Sequence, residues 1–170
     1  LRSLTIVHFP RVGSLAALAG LTGLEELTLE TLPSWDASRK RQSVESLAPL
    51  RGMARLRVLK LGGVVARDGD LSPLAALDAL EALGLANAYP QRALAELAAA
   101  LPQLQSNFLS PYMTLDGYAC TRCGADKVML SGSDIPNPKV VCPTCNRRKV
   151  DETVARFEGW RSAAMAPAGA

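Results

Sequence analysis

Leu24-Glu25-Glu26-Leu27-Thr28-Leu29 is the stretch that decides the fold. Apolar residues stand first, fourth and sixth in this phrase, and its last four residues alternate with a period of two, the pattern of a short strand with one buried face. The phrase recurs as Leu1-Leu4-Ile6, Leu56-Leu59-Leu61 and Leu80-Leu83-Leu85, and a fifth copy begins with Leu101 and Leu104 and decays at Ser106. Its starts lie 23, 32, 24 and 21 residues apart. Self-similarity at about 20–29 residues means one structural unit per copy, each burying its apolar face on the next. The 32-residue interval therefore carries an insertion, Pro33 to Ser43.

The segments leading into each phrase run Leu15-Leu18-Leu21-Leu24, then Leu47-Leu50-Met53-Leu56, then Leu71-Leu74-Leu77-Leu80. A constant spacing of three is the period of a 3₁₀-helix, whereas an α-helical stripe mixes threes and fours. The last unit, with Leu94, Leu97, Ala98 and Leu101, changes to that mixed spacing in strong helix formers, so an α-helix is expected near the end of the array.

On these phrases and turns, residues 1–106 resemble the leucine-rich repeat family in its short-repeat, internalin-like form. The resemblance implies an α/β solenoid of short parallel strands backed by 3₁₀ or α turns, working as a non-enzymatic protein-recognition scaffold. One position departs from the family pattern. Where an Asn usually bonds neighbouring coils, this chain has Phe9, Leu32, Val64 and Ala88.

The period of two sends Ser3, Thr5, Val7, Glu26, Thr28, Glu30, Val58, Lys60, Gly62, Ala82, Gly84, Ala86, Gln103 and Gln105 outward onto the strand face. Glu26, Glu30 and Lys60 are its main charges and its candidate partner-binding residues. The insertion is the second candidate, because Trp35 with Arg39, Lys40 and Arg41 has the composition of an interface anchor on a long loop.

Downstream, Cys120-x-x-Cys123 and Cys142-x-x-Cys145 are separated by eighteen residues, a spacing used for zinc-binding pairs. Gly124 and Asn146 follow the pairs and suit a left-handed turn. The second pair, Cys142-Pro-Thr-Cys145-Asn146, resembles a zinc-ribbon knuckle. Four thiolates complete a tetrahedron around Zn²⁺ and leave no open position, so the expected role is structural. Two disulfides, or iron in the same ligands, are the alternatives. Between the pairs, 127–132 and 139–141 read as a hairpin; beyond them Asp151 is placed to cap a helix bearing Val154, Phe157 and Trp160. Phe108, Leu109, Tyr112, Met113 and Leu115 read as the apolar junction of two units, a solenoid over 1–110 and a four-cysteine module over 111–170.

The 170 residues are 48% hydrophobic with a net charge of +3. Residues 1–110 carry 11 Lys/Arg against 10 Asp/Glu and residues 111–170 carry 8 against 6, so neither part is a polyelectrolyte. Arg147-Arg148-Lys149 is short enough to be solvated surface; with Arg122 it leaves a nucleic-acid-binding ribbon as an alternative. The single histidine, His8, has no cysteine free to act with it, and no GxGxxG, P-loop or HExxH motif occurs, which argues against an enzyme. Asp68 and Asp70 read as turn formers. The chain begins inside a repeat without an initiator Met, so a regulatory piece of a larger enzyme is the remaining alternative. With no signal peptide or spanning segment, cytoplasmic location is the expectation.

Overall fold

The computed structural model describes residues 1–32 and 40–166. Each repeated phrase becomes one strand of a parallel five-stranded sheet: β1 (Ser3–Val7), β2 (Glu26–Glu30), β4 (Val58–Gly62), β6 (Ala82–Gly84) and β7 (Gln105–Ser106), in that spatial order. The register aligns phrase with phrase, so that Leu4, Leu27, Leu59 and Leu83 form one inward row and Ile6, Leu29 and Leu61 the next, buried except at the edge strand, where Leu4 and Ile6 are half-buried. The threefold spacing becomes 3₁₀-helices at Ala16–Leu18, Ala48–Leu50 and Ser72–Ala76, whose leucines close the layer behind the strands. Fully burying a leucine stabilises by about 1.5–3 kcal/mol, and a core this dense in leucine needs few aromatic anchors.

The final repeat unit forms helix α1 (Gln91–Ala100), as its spacing predicts. The fifth phrase is corrected. Ser106, not Leu104, pairs with Leu83, so the strand enters the sheet two residues later than the pattern of Leu101 and Leu104 implies. The α-helix is longer than a 3₁₀ turn and carries Leu101 and Leu104 into the layer behind the sheet. A shift of two preserves the alternation, and Gln105 still faces out.

A second, two-stranded parallel sheet pairs β3 (Gln42–Val44) with β5 (Val64–Ala66) on the strand-exit side. Gln42 and Ser43 thus belong to the fold and not to a loop. Gln42 is buried, its Nε2 donating to Val12 O at 2.8 Å, which ties the strand after the insertion to the first unit. At the last exit Asn107 performs the coil-to-coil bonding that the missing Asn positions cannot: its Nδ2 donates to Leu85 O at 2.9 Å and its Oδ1 accepts from Leu85 N at 3.1 Å.

Beyond residue 110 the chain forms an antiparallel three-stranded sheet in the order β10 (Val140–Val141), β9 (Asp126–Leu130), β8 (Tyr112–Ala119), and then helix α2 (Arg147–Met165). The hairpin between the cysteine pairs is β9–β10; β8 is an additional strand. Val128, Leu130, Ile135, Val141 and Val150 make a small core of their own. Phe157 of α2, by contrast, is fully buried in the leucine core, and Phe108 is buried there with Leu109, Met113 and Trp160 packed against it.

Candidate metal centre and recognition face

The first cysteine pair occupies the turn between β8 and β9. Gly124 N donates to Cys120 O at 2.8 Å, and the turn closes because Gly124 takes φ +77, a backbone open to a residue without Cβ. The second pair joins β10 to α2 and repeats the geometry, with Asn146 N donating to Cys142 O at 2.9 Å. Asn146 itself has φ −118, so the expected left-handed turn is absent there. The chain passes straight from this turn into α2, which begins at Arg147. Asp151 is therefore no cap. It lies one turn inside the helix and pairs with Arg147 at 3.5 Å.

The four Sγ atoms all lie within 4.8 Å of one another, with 3.4 Å between Cys123 and Cys142, 3.7 Å between Cys123 and Cys145 and 3.9 Å between Cys120 and Cys145. A tetrahedron of thiolates about 2.3 Å from a central zinc has edges of about 3.8 Å. The spacing suits coordination, and each distance is far longer than the S–S bond of about 2.05 Å in a disulfide. Cys120 and Cys142 are buried, while Cys123 and Cys145 are exposed.

Proton affinities inside the cluster diverge. The backbone N–H of Cys145 donates to Cys142 Sγ at 3.4 Å and, as the largest influence, brings the Cys142 thiol down to about 6. The N–H groups of Arg122 and Cys123 lower Cys120 likewise. The hydrogen bond with Cys123 and then desolvation push Cys145 up to about 12, since both favour the neutral thiol over the thiolate. Backbone donors aimed at thiolates and a proton left for a cation to displace are the features of a site that can hold a metal ion.

Of the basic run beside the second pair, Arg147 and Arg148 are exposed, with Arg148 3.6 Å from Glu152. Lys149 departs from the solvated reading: its Nζ donates to Pro136 O at 2.7 Å and Pro138 O at 2.8 Å. The junction with the array carries residues that the sequence reading did not single out. Asn87 donates from Nδ2 to Leu130 O and accepts at Oδ1 from Gly132 N, both at 2.8 Å, while Ser133 N donates to Tyr89 O at 2.7 Å. Gln91 is fully buried, donating to Thr153 O at 3.2 Å and accepting from Arg156 Nε at 3.0 Å.

The outward rows run Ser3, Glu26, Val58, Ala82, Gln105 and Thr5, Thr28, Lys60, Gly84 across the five-stranded sheet. Glu26 accepts from Ser3 Oγ at 3.2 Å. Lys60 lies beside Gly84 and Glu30 beside Gly62, so the small residues make room for their long neighbours. Val58, Lys60, Ala82, Gly84, Gln105 and Asn107 line a shallow trough of about 330 Å³. Of the insertion, Lys40 and Arg41 are exposed at the approach to β3, whereas Trp35 and Arg39 lie outside the described residues.

Fold and site together define a mixed α/β protein of repeated parallel strands ending in a four-thiol cluster that can hold a metal ion. No protein-family model and no curated protein matches the chain. Among solved structures it is similar to an internalin of Listeria monocytogenes (inlF), at 24% identity over 61% of this chain and 34% of that one, with a TM-score of 0.33. It is also similar to internalin C2 (inlC2) of the same organism, at 22% identity over 62% of this chain and 50% of that one, with a TM-score of 0.39. The chain thus spans a third to a half of the length of these proteins. No helix among the described residues is long and apolar enough to cross a membrane.

Proposed function

We propose that this chain is a leucine-rich-repeat solenoid over 1–110, closed by a zinc-ribbon-like module over 111–170, and that it serves as a non-enzymatic scaffold for recognising a protein partner in the cytoplasm. The observation that carries this reading is the uninterrupted outward face of the five-stranded parallel sheet. Its outward rows are regular and exposed or half-buried, the kind of continuous surface on which repeat arrays receive a second macromolecule. Cys120, Cys123, Cys142 and Cys145 hold Zn²⁺ in a closed tetrahedron whose role is structural, contributing on the order of 10 kcal/mol to a module with a small core. Glu26, Glu30 and Lys60 give the sheet face its charge pattern, and Trp35, Arg39, Lys40 and Arg41 give the insertion an anchor composition.

Partner capture by the wild-type chain, by a Glu26→Lys/Lys60→Glu variant, and by a variant with Trp35 and Arg39 to Arg41 replaced by alanine tests the proposal. Loss of the same partner in either variant is the expected result and assigns the surface. Unchanged capture by both would remove these residues from the interface.

A further inference from the structure

Helix α1 begins with Gln91 behind Pro90, which offers no side-chain acceptor, so the helix has no cap of its own. The acceptor comes from 43 residues downstream: Asp134 Oδ1 takes a hydrogen bond from Gln91 N at 2.8 Å and places a carboxylate at the positive end of the helix. Asp134 sits in the loop between the two cysteine pairs. That loop is gripped from the array by Asn87 and by Tyr89 O. From the other side Lys149, in the first turn of α2, holds the carbonyls of Pro136 and Pro138.

The first turn of α2 is the direct continuation of the Cys142–Cys145 turn, and further along the helix Thr153 O, in the second turn, and Arg156 Nε, in the third, hold the Gln91 side chain. A path therefore runs from the thiols along the first turn of α2 to Lys149, through its bonds to Pro136 O and Pro138 O into the loop that carries Asp134, and separately from α2 to Gln91, ending both times at the N-terminus of α1. From there α1 feeds β7 and the trough, with Leu104 N bonded to Leu101 O and Gln105 N to Glu81 O.

We propose that metal occupancy of the four-thiol site and the capping of repeat helix α1 are linked, so that the bound metal keeps the last unit of the array and its end of the outward face ordered. This rests on the metal reading above. Linkage is reciprocal, so removing the cap must weaken metal binding by the same factor by which metal removal weakens the cap. Asp134 and Gln91 act as positioning residues; neither touches the thiols.

Hydrogen exchange of the full chain, read by mass spectrometry, tests the linkage. The protein is loaded with one equivalent of zinc, then stripped with a zinc chelator under reducing conditions. Stripping is expected to speed exchange in the first turn of α1 by roughly tenfold, the scale of a lost helix cap, while β2 stays protected. Zinc-loaded Asp134→Ala should show the same rise and, by competition with a chelator, a zinc affinity lowered by a similar factor. Asp134→Asn, which keeps an acceptor oxygen, should restore most of both. Unchanged exchange in α1 of the stripped chain, or wild-type exchange and affinity in Asp134→Ala, overturns the linkage and leaves the metal site standing. Equal loss of protection in β2 and α1 on stripping overturns it too. Less than about half an equivalent of bound zinc removes the metal reading and the linkage with it.

Discussion

Gly132 shows how much one residue constrains the junction. Its φ of +133 is one that side chains with a Cβ rarely adopt, and a Cβ there would stand 2.9 Å from both Gln91 Cβ and Asp134 Oδ1. Gly132→Ala should therefore lower stability by about 1–3 kcal/mol, since it adds backbone strain and displaces the α1 cap. Gly20→Ala, where a Cβ meets nothing within 4 Å, is the control expected to change stability little; thermal unfolding of the two variants checks the contrast. At this scale the sequence was only partly legible. The cysteines were readable because residue type and CxxC spacing alone are enough to bring four thiols together. Asp134 was not, because its partner is 43 residues away and a lone Asp at the head of a proline-rich turn is indistinguishable from a turn residue. Asp151 misled for the complementary reason: an acidic residue before an apolar stripe has the right chemistry for a cap, but the cysteine turn had already started the helix four residues earlier.

Among the elements, the strands and 3₁₀ turns followed from periodicity, because a buried row repeats at the spacing of the element that buries it. What periodicity could not supply was the docking of α2. Its stripe of Val154, Phe157 and Trp160 identified an apolar face without saying what covers it. The structure divides that face: Phe157 is fully buried in the leucine core and Trp160 packs against the same core, whereas Val154 packs against the small core of the three-stranded sheet. Phe157→Ala should thus destabilise by about 3–5 kcal/mol, the range for emptying a phenylalanine site in a close-packed interior. Because the site lies within the repeat core, the denaturant midpoint should fall when followed in the repeats as well as in the cysteine segment. A midpoint that falls only for the cysteine segment would show that α2 does not brace the array. The two-residue shift of β7 belongs to this scale too. The decay of the pattern at Ser106 signalled irregularity, but only the length of α1 fixes where the strand re-enters the sheet.

For the whole molecule, the competing reading is a nucleic-acid module, and charge placement decides how it should behave. A binder held by phosphate contacts releases counterions, and log K falls with log salt by about 0.9 for each phosphate neutralised on a duplex. In this chain the excess of cations is +3 over 170 residues. Lys149 is committed to two carbonyls, and Arg147 and Arg148 each lie beside a carboxylate of their own helix. Two arginines released from exposed pairs would give a slope no steeper than about −2. Binding to duplex DNA and to structured RNA, measured by fluorescence anisotropy from 50 to 300 mM salt, should therefore be weak and shallow in its salt dependence, and Arg147→Ala/Arg148→Ala should abolish what there is. A slope near −5 with submicromolar affinity at physiological salt would need a basic surface recruiting Arg122, Lys127 and the insertion together, and would displace the protein-recognition reading in favour of the cysteine segment as the functional end of the molecule.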